Sequence, residues 1–397
     1  MADTIHILGL GGVGVLVAHS LAGVTNRPRL NLMLHRPKEY HPPSLAITRN
    51  GVTEYQTDFD FESYQDGCWY RELPGSSVEP MEHSQSQSVL CNEAPIHVLI
   101  VAVKAHHTIH SIQLVKHRLS RHSTILFLQN GIGSLDELDT ELFPNASVRP
   151  YYMSAVVTHC IRRNEFFSAT HTAMGSISLG SSPRTTEAFK ASMSLKAPPG
   201  ADGLVSLFKR AYYLNAAVRS PQELLQQQLN KLVTNSVHNP LTSLLDCSIE
   251  GLITSTNPLV QATSDALVCE FSDIIKALPL SGLISKEDLE TEFSAAKLKT
   301  TINQIGQRAG AHTTSMLQDL RNGEQTEIMY LNGCFMRWAV DLGIDCPVNK
   351  IIIRKVLEKE SKADKIMLHQ NAGPPDVLDD LMKGNLLSTT GVETTQV

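Results

Sequence analysis

The sequence predicts an α/β domain with a mainly parallel sheet, followed by an all-α domain. Three observations carry this reading. Apolar, strand-like runs alternate with helical stretches through the first half of the chain. A glycine-rich turn follows the first run directly. Beyond Pro221 only helical periodicity is visible. With 397 residues, the chain is long enough for about two domains.

Taken in order, Thr4–Leu8 (TIHIL) is short and apolar and reads as the first strand. Residues 15–22 read as a helix and 30–34 as a second strand. Residues 96–103 (IHVLIVAV) are nearly all apolar, as expected of a parallel strand covered on both faces. Residues 124–128 form another such run, and strand-like segments recur at 153–158 and 176–179. Structured sequence resumes at 204–213 and 216–219. Helices are expected over Pro221–Leu245, 258–278, 286–296, 316–320, 324–342 and 349–362. The expected organisation is a first domain over 1–220, a helical domain over 221–370 and a flexible tail over 371–397. Polar stretches at 67–95 and 181–200, rich in Ser, Gly and Pro, read as surface insertions within the first domain.

Composition narrows the function. Lys plus Arg total 34 and Asp plus Glu 40, so the net charge is −6, and aromatic residues make up only 6 %. That balance argues against a nucleic-acid surface. No apolar run approaches the ~20 residues of a membrane span. The seven cysteines include no CxxC pair and suggest free thiols in a reducing compartment, with no metal-ligand set. The expected location is the cytoplasm, and a mitochondrial one is compatible.

The glycine turn is the first chemical signal. Gly9, Gly11 and Gly14, with Gly12 between them, join the first strand to a helix. In a dinucleotide-binding turn the first glycine permits the bend and the second lets the backbone approach a pyrophosphate. The third lets helix and strand pack closely. The phosphate then rests on the helix N-terminus. Where an NAD site has an acidic residue after the second strand, this chain has His35-Arg36-Pro37-Lys38. A cation there suits a 2′-phosphate, so Arg36 points to NADP(H).

The second signal lies on the long helix. Lys231, Asn235 and Asn239 recur every four residues. They therefore spread over only about 80° of the helix surface. Pro240 follows at once and is expected to kink the helix. Ser315 and Glu327 flank the break at Asn322-Gly323. Only tertiary folding can bring them to the lysine stripe. Taken alone, the stripe is equally a solvated polar face.

Read together, these motifs resemble the ketopantoate reductases (2-dehydropantoate 2-reductases). The matching segments run in order: Gly9–Gly14, VAVKA ending at Ala105, LQNG ending at Gly131, and KLxxNxxxNPLT from Lys231. Further on come TSMLQD from Thr314, TEI from Thr326, LNG from Leu331 and GIxxPVN from Gly343. The resemblance implies a Rossmann-type domain followed by a helical one, and NADPH-dependent reduction of 2-dehydropantoate to pantoate in pantothenate and coenzyme A biosynthesis. It implies that Lys231 is the catalytic lysine and Glu327 its acidic partner. Asn235, Asn239, Ser315 and Asn130 would hold substrate. Lys104 and Asn130 would sit beside the nicotinamide ribose. A homodimer is compatible with it.

The chain departs from the family in its two insertions and tail, in Met329 after the TEI segment, and in Asn230 before the lysine. Two alternatives follow. One is a reductase of another 2-oxo acid. The other is a non-catalytic nucleotide-binding regulator, such as a mitochondrial translation factor, that keeps the fold.

Overall fold

The structure, a computed structural model, describes residues 3–35, 44–72, 91–164, 166–183, 197–280 and 282–368. The chain divides into two compact units, Met1–Leu229 and Asn230–Val397.

The first unit is built on a nine-stranded sheet. Its strands are β1 (Thr4–Leu8), β2 (Arg29–Leu34), β5 (Asp60–Gln65), β6 (Cys68–Glu72), β7 (Val98–Val101), β8 (Thr124–Phe127), β9 (Tyr151–Val157), β12 (Ile177–Ser181) and β13 (Ala216–Val218), in the order β13-β12-β9-β8-β7-β1-β2-β5-β6. The six central strands, from β5 to β9, are all parallel. Their arrangement is the doubly wound order expected of a dinucleotide-binding sheet. Alternation sends Ile5, Ile7, Val98 and Ile100 to one face, where Leu204, Leu207 and Phe208 of helix Pro199–Arg210 join them. Leu99, Val101, Ile125 and Phe127 face the other way, towards Ile112 and Leu138. Both faces are covered, which explains why these strands read as unbroken apolar runs.

A second, four-stranded sheet was not anticipated. It joins β10 (Cys160–Arg163), β11 (Ser168–Ala173), β3 (Leu45–Arg49) and β4 (Val52–Gln56). Asn50-Gly51 turns β3 into β4, with φ of 49° and 79°. Asp66-Gly67 turns β5 into β6 with φ of 50° and 85°. Both dipeptides suit a two-residue hairpin that needs positive φ twice. The 67–95 insertion is corrected accordingly, because its start is strand β6. Residues 73–90 of that stretch, 184–196 of the other, Arg36, Lys38 and the 371–397 tail lie outside the described residues.

The cysteine expectation is also corrected. Cys68 and Cys91 form a disulfide with Cα atoms 5.5 Å apart. The hairpin makes this pairing local: the Asn92 N–H donates to the Trp69 carbonyl at 2.7 Å, which lays the Cys91 segment beside β6. The cysteine count therefore no longer argues for a reducing compartment.

The division between units falls within the long helix Pro221–Leu245. The second unit continues with helices Ile249–Ile253, Pro258–Ala277, Lys286–Glu292, Ala295–Ala309, Ser315–Arg321, Asn332–Leu342 and Pro347–Leu368. Side chains of Ser248, Asn257, Ser285, Ser294 and Thr314 each cap a helix start by accepting a backbone N–H. Ser294 explains why the helix expected over 286–296 is instead two helices. The helix expected over 324–342 likewise begins as a short 3-10 turn, Ile328–Tyr330, before Asn332–Leu342. Phe271 stacks on Phe335 with ring centroids 3.9 Å apart, and both are fully buried. No helix among the described residues is long and apolar enough to cross a membrane.

Candidate active site

The first set of candidate residues lies at the C-terminal ends of the parallel strands. Gly9 has φ +99°, and a Cβ there would meet the Val103 nitrogen at 2.6 Å. A Cβ on Gly14 would fall 2.0 Å from the Gly9 carbonyl oxygen. Neither position tolerates a side chain. A Cβ on Gly11 meets nothing within 4 Å, so the backbone faces open space there. Gly11 is also the N-cap of helix Gly12–Ala22, which has neither a side-chain cap nor an acidic residue in its first turn. Its first amides have no intrahelical acceptors. This cradle fits a dinucleotide pyrophosphate.

Lys104 and Asn130 follow β7 and β8, and both are half-buried. Asn130 lines a cavity of about 70 Å³ with Gln129, Ser134, Ser154, Leu225 and Gln228. That volume suits a group of a few atoms.

The second set belongs to the second unit. Lys231 and Asn235 are half-buried on the long helix, and Asn239 is buried. The helix continues through Pro240. Proline has no N–H, so the Ser236 carbonyl one turn earlier loses its helical donor. The Asn332 side chain replaces it, donating to Ser236 O at 2.9 Å. Asn332 and Asn349 also exchange hydrogen bonds of 2.9 Å, and both are fully buried. The expected site for a kink is thus repaired by a neighbouring helix.

A second tie comes from Thr242, which donates to the His238 carbonyl at 2.7 Å and meets the Thr314 hydroxyl at 2.8 Å. Thr314 caps helix Ser315–Arg321. This pair therefore docks the start of that helix, with Ser315 as its first residue, within one turn of Asn239. Glu327 is buried, 5 % exposed. The segment carrying it is pinned on both sides. Glu360 accepts from the Thr326 N–H and hydroxyl at 3.1 and 2.7 Å, and Asn332 is held as above. Tertiary folding thus anchors both segments that spacing left undetermined. Thr242, Thr314, Asn332 and Glu360 had no assigned role. The signal for Asn332 was Pro240, which demands a donor for a carbonyl four residues back.

Two family models match the chain. The model "Ketopantoate reductase PanE/ApbA" matches residues 5–184, and "Ketopantoate reductase PanE/ApbA C terminal" matches 223–360. A relative named probable 2-dehydropantoate 2-reductase, from Schizosaccharomyces pombe, is 26 % identical over 355 residues, covering 89 % of this chain and 95 % of its own. A ketoisovalerate reductase of Beauveria bassiana is 24 % identical, covering 87 % and 80 %. Among solved structures, D-mandelate dehydrogenase in a ternary complex with NADH and anilino(oxo)acetate has the same fold. Its TM-score is 0.64 at 18 % identity, over 91 % of this chain and 99 % of that one. The family models and relatives make this chain an oxidoreductase, and its fold has a Rossmann-type unit and a helical unit. The chain belongs to the ketopantoate reductase family.

Proposed function

We propose that this chain reduces a 2-oxo acid to a 2-hydroxy acid with NADPH, and that 2-dehydropantoate is its substrate. The observation that carries the reading is the anchored stripe of Lys231, Asn235 and Asn239, to whose helix the Ser315 helix is tied through Thr242 and Thr314.

In this reading Gly9, Gly11, Gly12 and Gly14 hold the dinucleotide pyrophosphate, with Lys104 and Asn130 at the nicotinamide end. A nicotinamide bound there supplies a hydride to the 2-oxo carbon. As negative charge grows on the substrate oxygen, the Lys231 ammonium stabilises it and delivers a proton. Asn235, Asn239 and Ser315 offer hydrogen bonds to the substrate's carboxylate and hydroxyl groups. Glu327, a buried carboxylate, accepts from the substrate hydroxyl and orders the site. The choice of NADPH rests on the residue types at Arg36 and Lys38 alone.

The test is NADPH oxidation with 2-dehydropantoate and a panel of 2-oxo acids. Lys231→Ala should lower turnover by roughly 10²–10⁴-fold, the usual contribution of a positioned acid. Undiminished turnover in that variant would remove Lys231 from the chemistry. Absence of turnover on the whole panel, with NADPH still bound, would favour a non-catalytic regulator. The ketoisovalerate reductase among the relatives supports a second reading, in which 2-ketoisovalerate is the better substrate. The panel decides between them by kcat/KM.

A further inference from the structure

Gln129 stands between the two loops that carry Lys104 and Asn130. It ends the segment after β8, and its side-chain amide reaches across to the loop after β7. Nε2 donates to the Val103 carbonyl at 2.9 Å, lies 3.4 Å from the Lys104 carbonyl, and makes a short hydrogen bond to the Thr108 hydroxyl. Thr108 is fully buried, and its hydroxyl donates to the Ala105 carbonyl at 2.8 Å. With its proton committed there, the hydroxyl meets Gln129 through a lone pair. The direction of each bond is thus settled: both Gln129 protons point at acceptors on the β7 loop. The Lys104 carbonyl also accepts from the His107 N–H at 2.9 Å, closing the 3-10 turn that follows.

We infer that Gln129 is a positioning residue for the nicotinamide half of the dinucleotide, acting through the loops that present Lys104 and Asn130. This inference rests on the proposed function. The main-chain amide of Asn130 directly follows Gln129, so one side chain sets the spacing between the two loops. A residue with this role must donate. A carboxylate of the same shape has only lone pairs to offer to the Val103 and Lys104 carbonyls. Gln129→Glu therefore tests the hydrogen bonds while conserving side-chain volume.

The measurement is the affinity of the full-length protein for NADPH, by quenching or enhancement of its fluorescence. Affinity for adenosine 2′,5′-bisphosphate, which lacks the nicotinamide half, is measured by competition. Gln129→Glu should weaken NADPH about tenfold, the loss of about 1.4 kcal/mol, and leave the adenosine fragment within about twofold. Thr108→Ser, which keeps the hydroxyl, should match the wild type, and Thr108→Val should behave like Gln129→Glu. Equal weakening of both ligands would overturn the inference, because it marks general damage to the fold. Unchanged binding of both would overturn it as well. Gln129→Met gives the same reading should the Glu variant fail to fold. Wild-type protein that binds NADPH but reduces no 2-oxo acid would defeat the proposed function instead, leaving the binding comparison to judge Gln129.

Discussion

Asn332 shows how one residue can carry structure that no local pattern reveals. Pro240 removes the donor that the Ser236 carbonyl needs, and Asn332 supplies it from a distant helix while pairing with Asn349. Replacing it with Leu leaves the Ser236 carbonyl and the Asn349 Oδ1 buried without their donor, while Asn349 Nδ2 keeps the main-chain carbonyl of residue 332. Each orphaned group costs about 1–3 kcal/mol, so Asn332→Leu should lower unfolding free energy by roughly 3 kcal/mol in a urea titration. A change below about 0.5 kcal/mol would mean that the Ser236 carbonyl has another donor. The glycine turn is the opposite case. Gly9 and Gly14 were legible because their spacing lies within six residues, although the crowding at Gly9 comes from Val103 and Ala102, far away in sequence, and only that at Gly14 comes mainly from the turn itself. The lysine stripe was legible as spacing, whereas its anchoring through Thr242–Thr314 and Asn332 depends on contacts between distant segments.

The four-stranded sheet decides the argument for elements. Its hairpin at Asn50-Gly51 was readable in principle, and so was the one at Asp66-Gly67. Both strands beside the first turn lack the apolar runs of a buried parallel strand, because β4 is largely exposed. Leu45, Ile47 and Ala169 pack the sheet into the apolar core, and a polar chain ties it further. The Arg49 Nε donates to His171 Nδ1 at 3.2 Å. An arginine can only donate, so His171 Nδ1 accepts and its Nε2–H points at His159 Nδ1, 3.0 Å away. His159 then donates from Nε2 to the Leu214 carbonyl at 3.0 Å. Both imidazoles are thus held neutral. Burial, then the neighbouring His159 and Arg49, push His171 down to about 4, and burial lowers His159 too. Unfolded, a histidine takes up a proton near 6.5; folded, His171 resists until about 4. Stability from this chain is therefore complete above pH 6.5 and is lost as pH falls towards 4. His171→Gln keeps an acceptor for Arg49 and a donor for His159 but does not titrate. Its unfolding free energy should fall less steeply than wild type between pH 6.5 and 4, and parallel slopes would refute the relay.

For the whole molecule, a mainly parallel first half and a helical second half were legible, since β7 and β8 are apolar runs and most helix starts of the second unit carry a Ser, Thr or Asn cap, whereas the polar strand β5 was not. The charged centre of the first unit was not. Glu62, on β5, is fully buried and meets Arg118 at 2.7 Å, with Asn31 and Asn92 donating to it and His6 at 3.7 Å. These residues span the sequence from β1 to the approach to β8, so no window of sequence contains the pattern. Burial alone would raise the Glu62 carboxyl, but His6 and Arg118 override it and hold it at about 2. The charge therefore persists through the range in which the histidine chain fails. On acidification, the four-stranded sheet should loosen first and the nine-stranded sheet last, which hydrogen exchange can follow segment by segment. Removing one partner is a harsher test than pH. Arg118→Met leaves a carboxylate buried without its counter-charge, which costs about 3–5 kcal/mol, a large share of the ~5–15 kcal/mol that holds a typical domain together. Adding Glu62→Leu removes the stranded charge and should restore most of that loss, because a well-packed apolar pair often equals a buried ion pair. Recovery in the double variant, read by urea unfolding against each single one, would assign the network to sheet specificity. A double variant no better than Arg118→Met would mean that Asn31, Asn92 and His6 need the carboxylate itself, so that the polar network and the sheet it crosses stand or fall together.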